Sequence, residues 1–126
     1  MVESIQSKKV AVIGAGGAGL VAISELKKLG HQVTCFESES QIGGTWNYTN
    51  QRTSIYKNLR SNLPRTLMAF ESFKFQPLPG SFSGDSREFP SHGEIMAYLE
   101  AYAEENELLG VIEFGEEVVG VEKVGE

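Results

Sequence analysis

An apolar run, Val10-Ala-Val-Ile13, passes directly into Gly14-Ala15-Gly16-Gly17-Ala18-Gly19, and the glycines lead into the periodic segment Leu20 to Leu29. A strand that breaks into glycines at this spacing and restarts as a helix has few ways to fold. Gly14 permits a sharp turn out of the strand. Gly16, without a side chain, lets a pyrophosphate approach the backbone, and Gly19 lets the helix pack close to the sheet. The helix N-terminus offers its unpaired N–H groups and positive dipole end at the same place. A second strand, Gln32-Val-Thr-Cys-Phe36, then runs into Glu37, eighteen residues beyond Gly19. A carboxylate there can accept hydrogen bonds from ribose hydroxyls. The pattern is a dinucleotide-binding fingerprint in its βαβ context, a parallel pair joined by a right-handed crossover.

The rest of the chain is read around that unit. The spacing predicts strands over Lys9–Ile13 and Gln32–Glu37 and a helix over Ala18–Leu29. That helix turns Leu20, Ile23, Leu26 and Leu29 to the sheet and stops at Gly30. Residues 38–90 are irregular, with short helical pieces expected over Ile55–Arg60 and Arg65–Phe70 and a Pro- and Gly-marked loop over Gln76–Arg87. Aromatic residues, among them Trp46, Tyr48, Phe70, Phe73, Phe75 and Phe82, favour packing of this segment over disorder. Ser91 and Glu94 form a capping box for a second helix, with Ile95, Leu99, Tyr102 and Ala103 on its apolar face and an end near Asn106 to Leu108. Strands over Val111–Phe114 and Val118–Val124 follow. Met1–Ser7 reads as a frayed polar leader.

At 126 residues the chain is one domain or part of one, and its 40% hydrophobic content is enough for a core. A net charge of −6 argues against general nucleic-acid affinity. The charge is uneven: ten acids and one base lie between Glu94 and Glu126, and five bases and one acid between Arg52 and Lys74. Two solvated faces account for this; the sharper account puts Lys57, Arg60 and Arg65 near an anionic cofactor. Cys35 stands alone within a strand, which excludes an intrachain disulfide and a thiol–metal cluster and leaves it a small buried hydrophobe. His31 and His92 have no metal-ligand spacing, so no metal site is expected, and His92, in a helix's first turn, is expected to face solvent. Asn47-Tyr48-Thr49 is formally a glycosylation triplet without a secretion signal to give it meaning. The apolar stretch after Lys8-Lys9 is interrupted by glycines and too short for a membrane span. A soluble, cytoplasmic protein is expected.

Beyond Glu37 comes Gly43-Gly44-Thr45-Trp46, where paired glycines can bring a second loop against a cofactor without a Cβ clash. Taken with Ser54-Ile-Tyr56-Lys-Asn-Leu-Arg60-Ser61-Asn62-Leu63-Pro-Arg65, Phe89-Pro-Ser-His92 and Tyr98-Leu-x-x-Tyr102-Ala103, these motifs resemble the N-terminal region of flavin-containing monooxygenases. The resemblance runs from Lys8 to Val124. Its Asn62-Leu-Pro-Arg65 form is closer to the S-oxygenating plant-type and insect-type members than to the vertebrate ones.

The resemblance implies an α/β, Rossmann-like FAD-binding domain over residues 1–126. It would be the incomplete N-terminal portion of a flavoprotein with two dinucleotide-binding domains, the NADPH-binding domain being absent. Gly14 to Gly19 would hold the FAD pyrophosphate, Glu37 the adenosine ribose, and Gly43, Gly44, Thr45 and Trp46 would line the FAD site. Asn62, the implied catalytic residue, would sit beside the isoalloxazine, with Asn62-Leu63 on FAD and Ser61-Asn62 on NADP. An amide suits that place because it donates and accepts without titrating. In that family NADPH reduces FAD, and one oxygen atom of O2 passes to a soft nitrogen or sulfur nucleophile. The chain departs from the family in carrying Glu37-Ser38 for Glu-Arg and Glu71-Ser-Phe-Lys-Phe75 for Asp-Phe-Pro-Phe. It also lacks a second GxGxxG and the Phe-x-Gly-x-x-x-His fingerprint. A nucleotide-binding fragment without turnover, and part of a related flavoprotein such as a Baeyer–Villiger monooxygenase, remain as alternatives.

Overall fold

The computed structural model describes residues 5–49, 54–75 and 87–125. Strand β1 (Lys9–Ile13) leads into helix α1 (Gly17–Lys28), which returns the chain to strand β2 (Gln32–Glu37). A helical turn, α2 (Arg65–Met68), and the long helix α3 (His92–Glu105) follow, before strand β3 (Ile112–Phe114). The three strands form one parallel sheet in the order β1-β2-β3. Lys9 pairs with Gln32 and Ile13 with Phe36, while Cys35 pairs with Ile112. Each parallel pair is joined through a helix, as parallel strands require.

Alternation along β2 sends Val33, Cys35 and Glu37 to one buried side. Val33 and Cys35 join Val12 and Ile112 from the sheet, Leu20 and Ile23 from α1, and Ile95, Leu99, Tyr102 and Ala103 from α3 in a single apolar core. The expected face of α1 is therefore right at Leu20 and Ile23, but Leu29 is 49% exposed. It is the cap residue, and the chain turns away there. Gly30 takes a φ of +86°, its N–H donates to Lys27 O, and the N–H of His31 reaches Leu26 O. This is a Schellman stop. The capping box of α3 is present on both arms: Ser91 Oγ accepts from the Glu94 N–H, and the Glu94 carboxylate accepts from the Ser91 N–H.

Phe70, Phe73 and Phe75 pack on α3, with Phe75 stacked on Tyr98 at 4.3 Å between ring centroids. The Tyr98 hydroxyl accepts from the Phe70 N–H at 2.8 Å and donates to Phe73 O. This anchor ends α2 after Met68, short of the expected Phe70. No helix forms over Ile55–Arg60; a single turn closed by the Leu59 N–H on Tyr56 O stands there. So short a piece cannot offset helix nucleation, and its end is drawn into contacts with residues 87–92 instead. The β3 region begins with a 3-10 turn over Leu109–Val111, so the strand starts at Ile112. Val118–Val124 is not a strand. Val119, Val121 and Val124 are more than 80% exposed, and no described segment pairs with them. Phe82 and most of the Gln76–Arg87 loop lie outside the described residues, as do residues 1–4 of the leader.

Candidate cofactor site

The glycine turn sits at the C-terminal end of β1. Gly14 has a φ of +94°, which an L side chain rarely adopts, and its N–H still donates to Phe36 O at 2.8 Å. Gly19 answers a different need. A Cβ there would lie 1.9 Å from the Gly14 carbonyl oxygen, so α1 can sit this close to the turn only with glycine at that position. Gly16, the N-cap of α1, is constrained by neither effect. Its φ is −78°, and an added Cβ would meet only ordinary contact with Gly44, at 3.7 Å. Its openness is therefore not used by the protein's own packing.

Ala15, wholly buried, is held from both sides. Its N–H donates to Glu37 Oε1 at 2.8 Å, and its carbonyl accepts from the Gly43 N–H at 3.0 Å. Glu37 Oε2 accepts from the Glu39 N–H at 2.8 Å. The Ser38 hydroxyl also donates to Oε2, at 3.4 Å; the carboxylate thus organises the glycine turn it stands beside, and the second lone pair of Oε1 remains for an external donor. Glu37, Gly14, Ser38, Glu116, Glu117 and Val118 line a cleft of about 240 Å³. The chain after β3 is tied back over it by the Glu116 N–H on Glu37 O.

The second loop meets the first. A Cβ at Gly44 would come 3.2 Å from Gly16 Cα, and one at Gly43 would strike Met96 Sδ of α3 at 2.4 Å. Gly43 (φ +114°) opens the 3-10 turn Gly44–Trp46, which carries Thr45 outward and lays Trp46 against the core. Trp46, Tyr48, His92 and Met96 border a groove on the exposed side of α3. The buried Asn47 Oδ1 accepts from both the N–H and the hydroxyl of Thr49, so the glycosylation triplet is a closed turn.

Ser61, Asn62 and Leu63 lie elsewhere. They form an exposed turn whose flanks are bonded to residues 87–92: Leu59 O accepts from the His92 N–H, the Ser61 N–H reaches Pro90 O, and the Arg65 N–H reaches Glu88 O. Ser61 Oγ donates to Leu63 O at 2.6 Å and tightens the turn. Among the described residues, α3 joins this turn to the glycine loops. Its first residues hold the Asn62 turn, and Met96 and Leu99 further along face Gly43 and Gly17. His92 and Met96 are four residues apart along α3, about 6 Å of helix rise.

Two expectations are corrected. His92 is buried, not solvent-facing; its Nε2 lies 2.9 Å from Lys57 O and its ring packs on Tyr48 at 4.9 Å. The chain that folds over the start of α3 covers it. Arg65 does not face an external anion. It is buried with its Nη2 2.6 Å from Glu94 Oε2, a pair 29 residues apart that no local pattern announces. Cys35 is the expected small core residue; burial, and secondarily the Glu37 charge, push its thiol up to about 11. Among the described residues no group of His, Cys, Asp and Glu could hold a metal ion, and no helix is long and apolar enough to cross a membrane.

A glycine turn at the end of a parallel strand, a helix N-terminus beyond it and a carboxylate closing the next strand define a Rossmann-type dinucleotide-binding protein. The chain belongs to the flavin-binding monooxygenase-like family, whose family model matches residues 7–126. It is 46% identical to the flavin-containing monooxygenase FMO GS-OX1 of Arabidopsis thaliana, over 97% of this chain and 30% of that protein. It is 44% identical to the putative flavin-containing monooxygenase FMO GS-OX-like 11 of the same plant, covering 97% of this chain and 82% of the relative. Among solved structures, S-allyl-L-cysteine S-oxygenase from Allium sativum superposes with a TM-score of 0.86 at 38% identity, over 95% of this chain and 30% of that one. An oxidized steroid monooxygenase bound to NADP gives 0.68 at 29% identity, over 86% of this chain and 20% of that one. The chain thus spans about 30% of the length of FMO GS-OX1 and of the Allium sativum S-oxygenase.

Proposed function

We propose that residues 1–126 form the FAD-binding part of an NADPH-dependent monooxygenase that oxygenates soft nitrogen or sulfur nucleophiles. The NADPH-binding domain belongs outside these residues. The observation that carries the reading is Gly16. No intramolecular contact or dihedral demands glycine there, yet it stands at the mouth of α1 against a second glycine loop, so the open space fits a group from outside. A diphosphate fits it, since the first N–H groups of α1 have no intrahelical acceptor and carry the positive dipole end.

Gly14, Gly16, Gly17, Ala18 and Gly19 would hold the pyrophosphate. Ala15 frames them: its N–H is spent on the Glu37 carboxylate and its carbonyl on the Gly43 N–H, so it shapes the turn rather than donating to the phosphates. Glu37 would accept from the ribose. With Glu116 and Glu117 beside it, the cleft disfavours a ribose 2′-phosphate, which supports FAD over NADP at this cradle. Gly43, Gly44, Thr45 and Trp46 would line the middle of the cofactor. Asn62, with Ser61 and Leu63, would present its amide to the isoalloxazine and to NADP. FAD, when bound, supplies the oxygen-transfer chemistry; the protein holds it, orients it and excludes water. A free, buried Cys35 fits a reducing, cytoplasmic setting.

A nucleotide-binding module without turnover is the second reading, favoured by the relative of which this chain spans 82%. FAD titration of the purified chain, read by quenching of flavin fluorescence, is expected to give saturable binding, and a folded chain that leaves FAD free would overturn the proposal. NADPH oxidation with a thioether separates the two readings. Consumption by this chain alone would remove the module reading and the assignment of NADPH binding to residues outside it.

A further inference from the structure

The Asn62 turn is exposed, short and free of regular structure, yet its flank is bolted to the start of α3 by a buried ion pair. Arg65 and Glu94 are 7% and 5% exposed and lie 2.6 Å apart. Arg65 Nε also donates to Arg87 O at 2.6 Å, and its guanidinium lies over the Phe75 ring at 5.2 Å. Burying two charges is costly, and a well-packed apolar pair of similar volume is often as stable or more so. Stability alone is thus a poor account of this pair. Geometry is a better one. A planar fork with fixed donor directions holds the chain three residues beyond Asn62 to the third residue of α3, two residues before Met96, which packs on Gly43.

We propose that Arg65 and Glu94 are positioning residues: their ion pair sets the Asn62 turn at a fixed place along α3 and so fixes the flavin end of the site relative to the glycine cradle. This rests on the reading that Asn62 faces the flavin. The pair touches no part of the cradle that would hold the adenosine and pyrophosphate. Its loss should leave that half intact.

The test compares FAD with ADP, which carries the adenosine and diphosphate but no flavin, on the whole chain. Three variants are used. Glu94→Gln keeps the capping box, which glutamine also serves, and removes the ion pair. Arg65→Met/Glu94→Met replaces the pair by apolar volume and is expected to stay folded, judged by circular dichroism. Arg65→Lys keeps the charge but loses the fork. Expected is a loss of about tenfold in FAD affinity with ADP affinity held within about twofold, Arg65→Lys lying between wild type and the double variant. Amide hydrogen exchange should rise at Ser61 and Arg65, whose N–H groups bond to Pro90 and Glu88, and stay unchanged in β1 and β2. Parallel loss of FAD and ADP affinity, or a wild-type preference for FAD over ADP that survives in the folded variants, overturns the positioning role. A wild-type chain that binds neither ligand overturns the cofactor reading itself, a result distinct from both.

Discussion

Gly19→Ala is the sharpest test of how the glycine turn is built. The added methyl would stand 1.9 Å from Gly14 O and 2.9 Å from Gly14 C, whereas real Cβ atoms essentially never come within 3.0 Å of a neighbour. The Gly14 carbonyl must therefore retreat by about 1 Å, against a clash that is backbone rather than flexible side chain. It is not free to do so, because the Gly14 N–H is bonded to Phe36 O and its oxygen accepts from Cys35 Sγ. Overpacking of this kind costs about 3 kcal/mol at the upper end of the usual range. Alanine in a helix interior recovers about 1 kcal/mol over glycine. The net loss of about 2 kcal/mol lowers the melting temperature by roughly 8 °C or more for a domain of this size. Gly16→Ala is the matched control. Its Cβ meets only ordinary contact; the weaker N-cap and the stiffer unfolded chain offset each other, and stability should stay within about 0.5 kcal/mol. FAD affinity should nonetheless fall about tenfold, because the methyl occupies the space assigned to the diphosphate. Thermal unfolding followed by circular dichroism, with FAD titration of both variants, checks the pair. Equal melting temperatures for Gly19→Ala and wild type, or equal destabilisation by both substitutions, would refute the separation of roles.

Two further outcomes follow from buried polar groups. Glu37→Gln leaves one acceptor oxygen for the two N–H groups of Ala15 and Glu39 and turns an amide NH2 toward the other, so about 1–3 kcal/mol is lost. Urea unfolding should show a lower midpoint at unchanged slope, with weaker FAD binding; an unaltered midpoint would contradict the framing role of the carboxylate. The Cys35 thiol titrates at about 11 in the fold against an ordinary 9.0, so between these values the unfolded chain has lost a proton that the native chain keeps. The Cys35 contribution to stability is therefore complete below pH 9 and is lost as pH rises toward 11, and Cys35→Ala should flatten that part of the slope in urea melts taken from pH 8 to 11.

What the sequence determined by itself is what short-range rules govern. The apolar run before the glycines placed β1, the segment leading into Glu37 placed β2, helical period placed the buried faces of α1 and α3, Gly30 stopped α1, and the Ser91–Glu94 box started α3. Gly14, Gly16, Gly19, Glu37 and the pair Gly43-Gly44 were legible as one site because their spacing carries the geometry of a strand, a turn and a helix. Tertiary structure alone decided the rest. Leu29, Val119, Val121 and Val124 have the composition for burial or pairing, yet no neighbouring surface or strand among the described residues covers them. The short helices expected around Ile55–Arg60 and Phe70 yield to hydrogen bonds and aromatic contacts from residues far along the chain. His92 is buried by Tyr48 and the Lys57 carbonyl, and Ala15 owes its place to Glu37 on one side and Gly43 on the other. Arg65 and Glu94 read as a surface cation and a cap, and only the fold makes them a buried pair. Periodicity and capping act over a few residues, whereas the partners of a buried charge are chosen by which distant segments the core brings together.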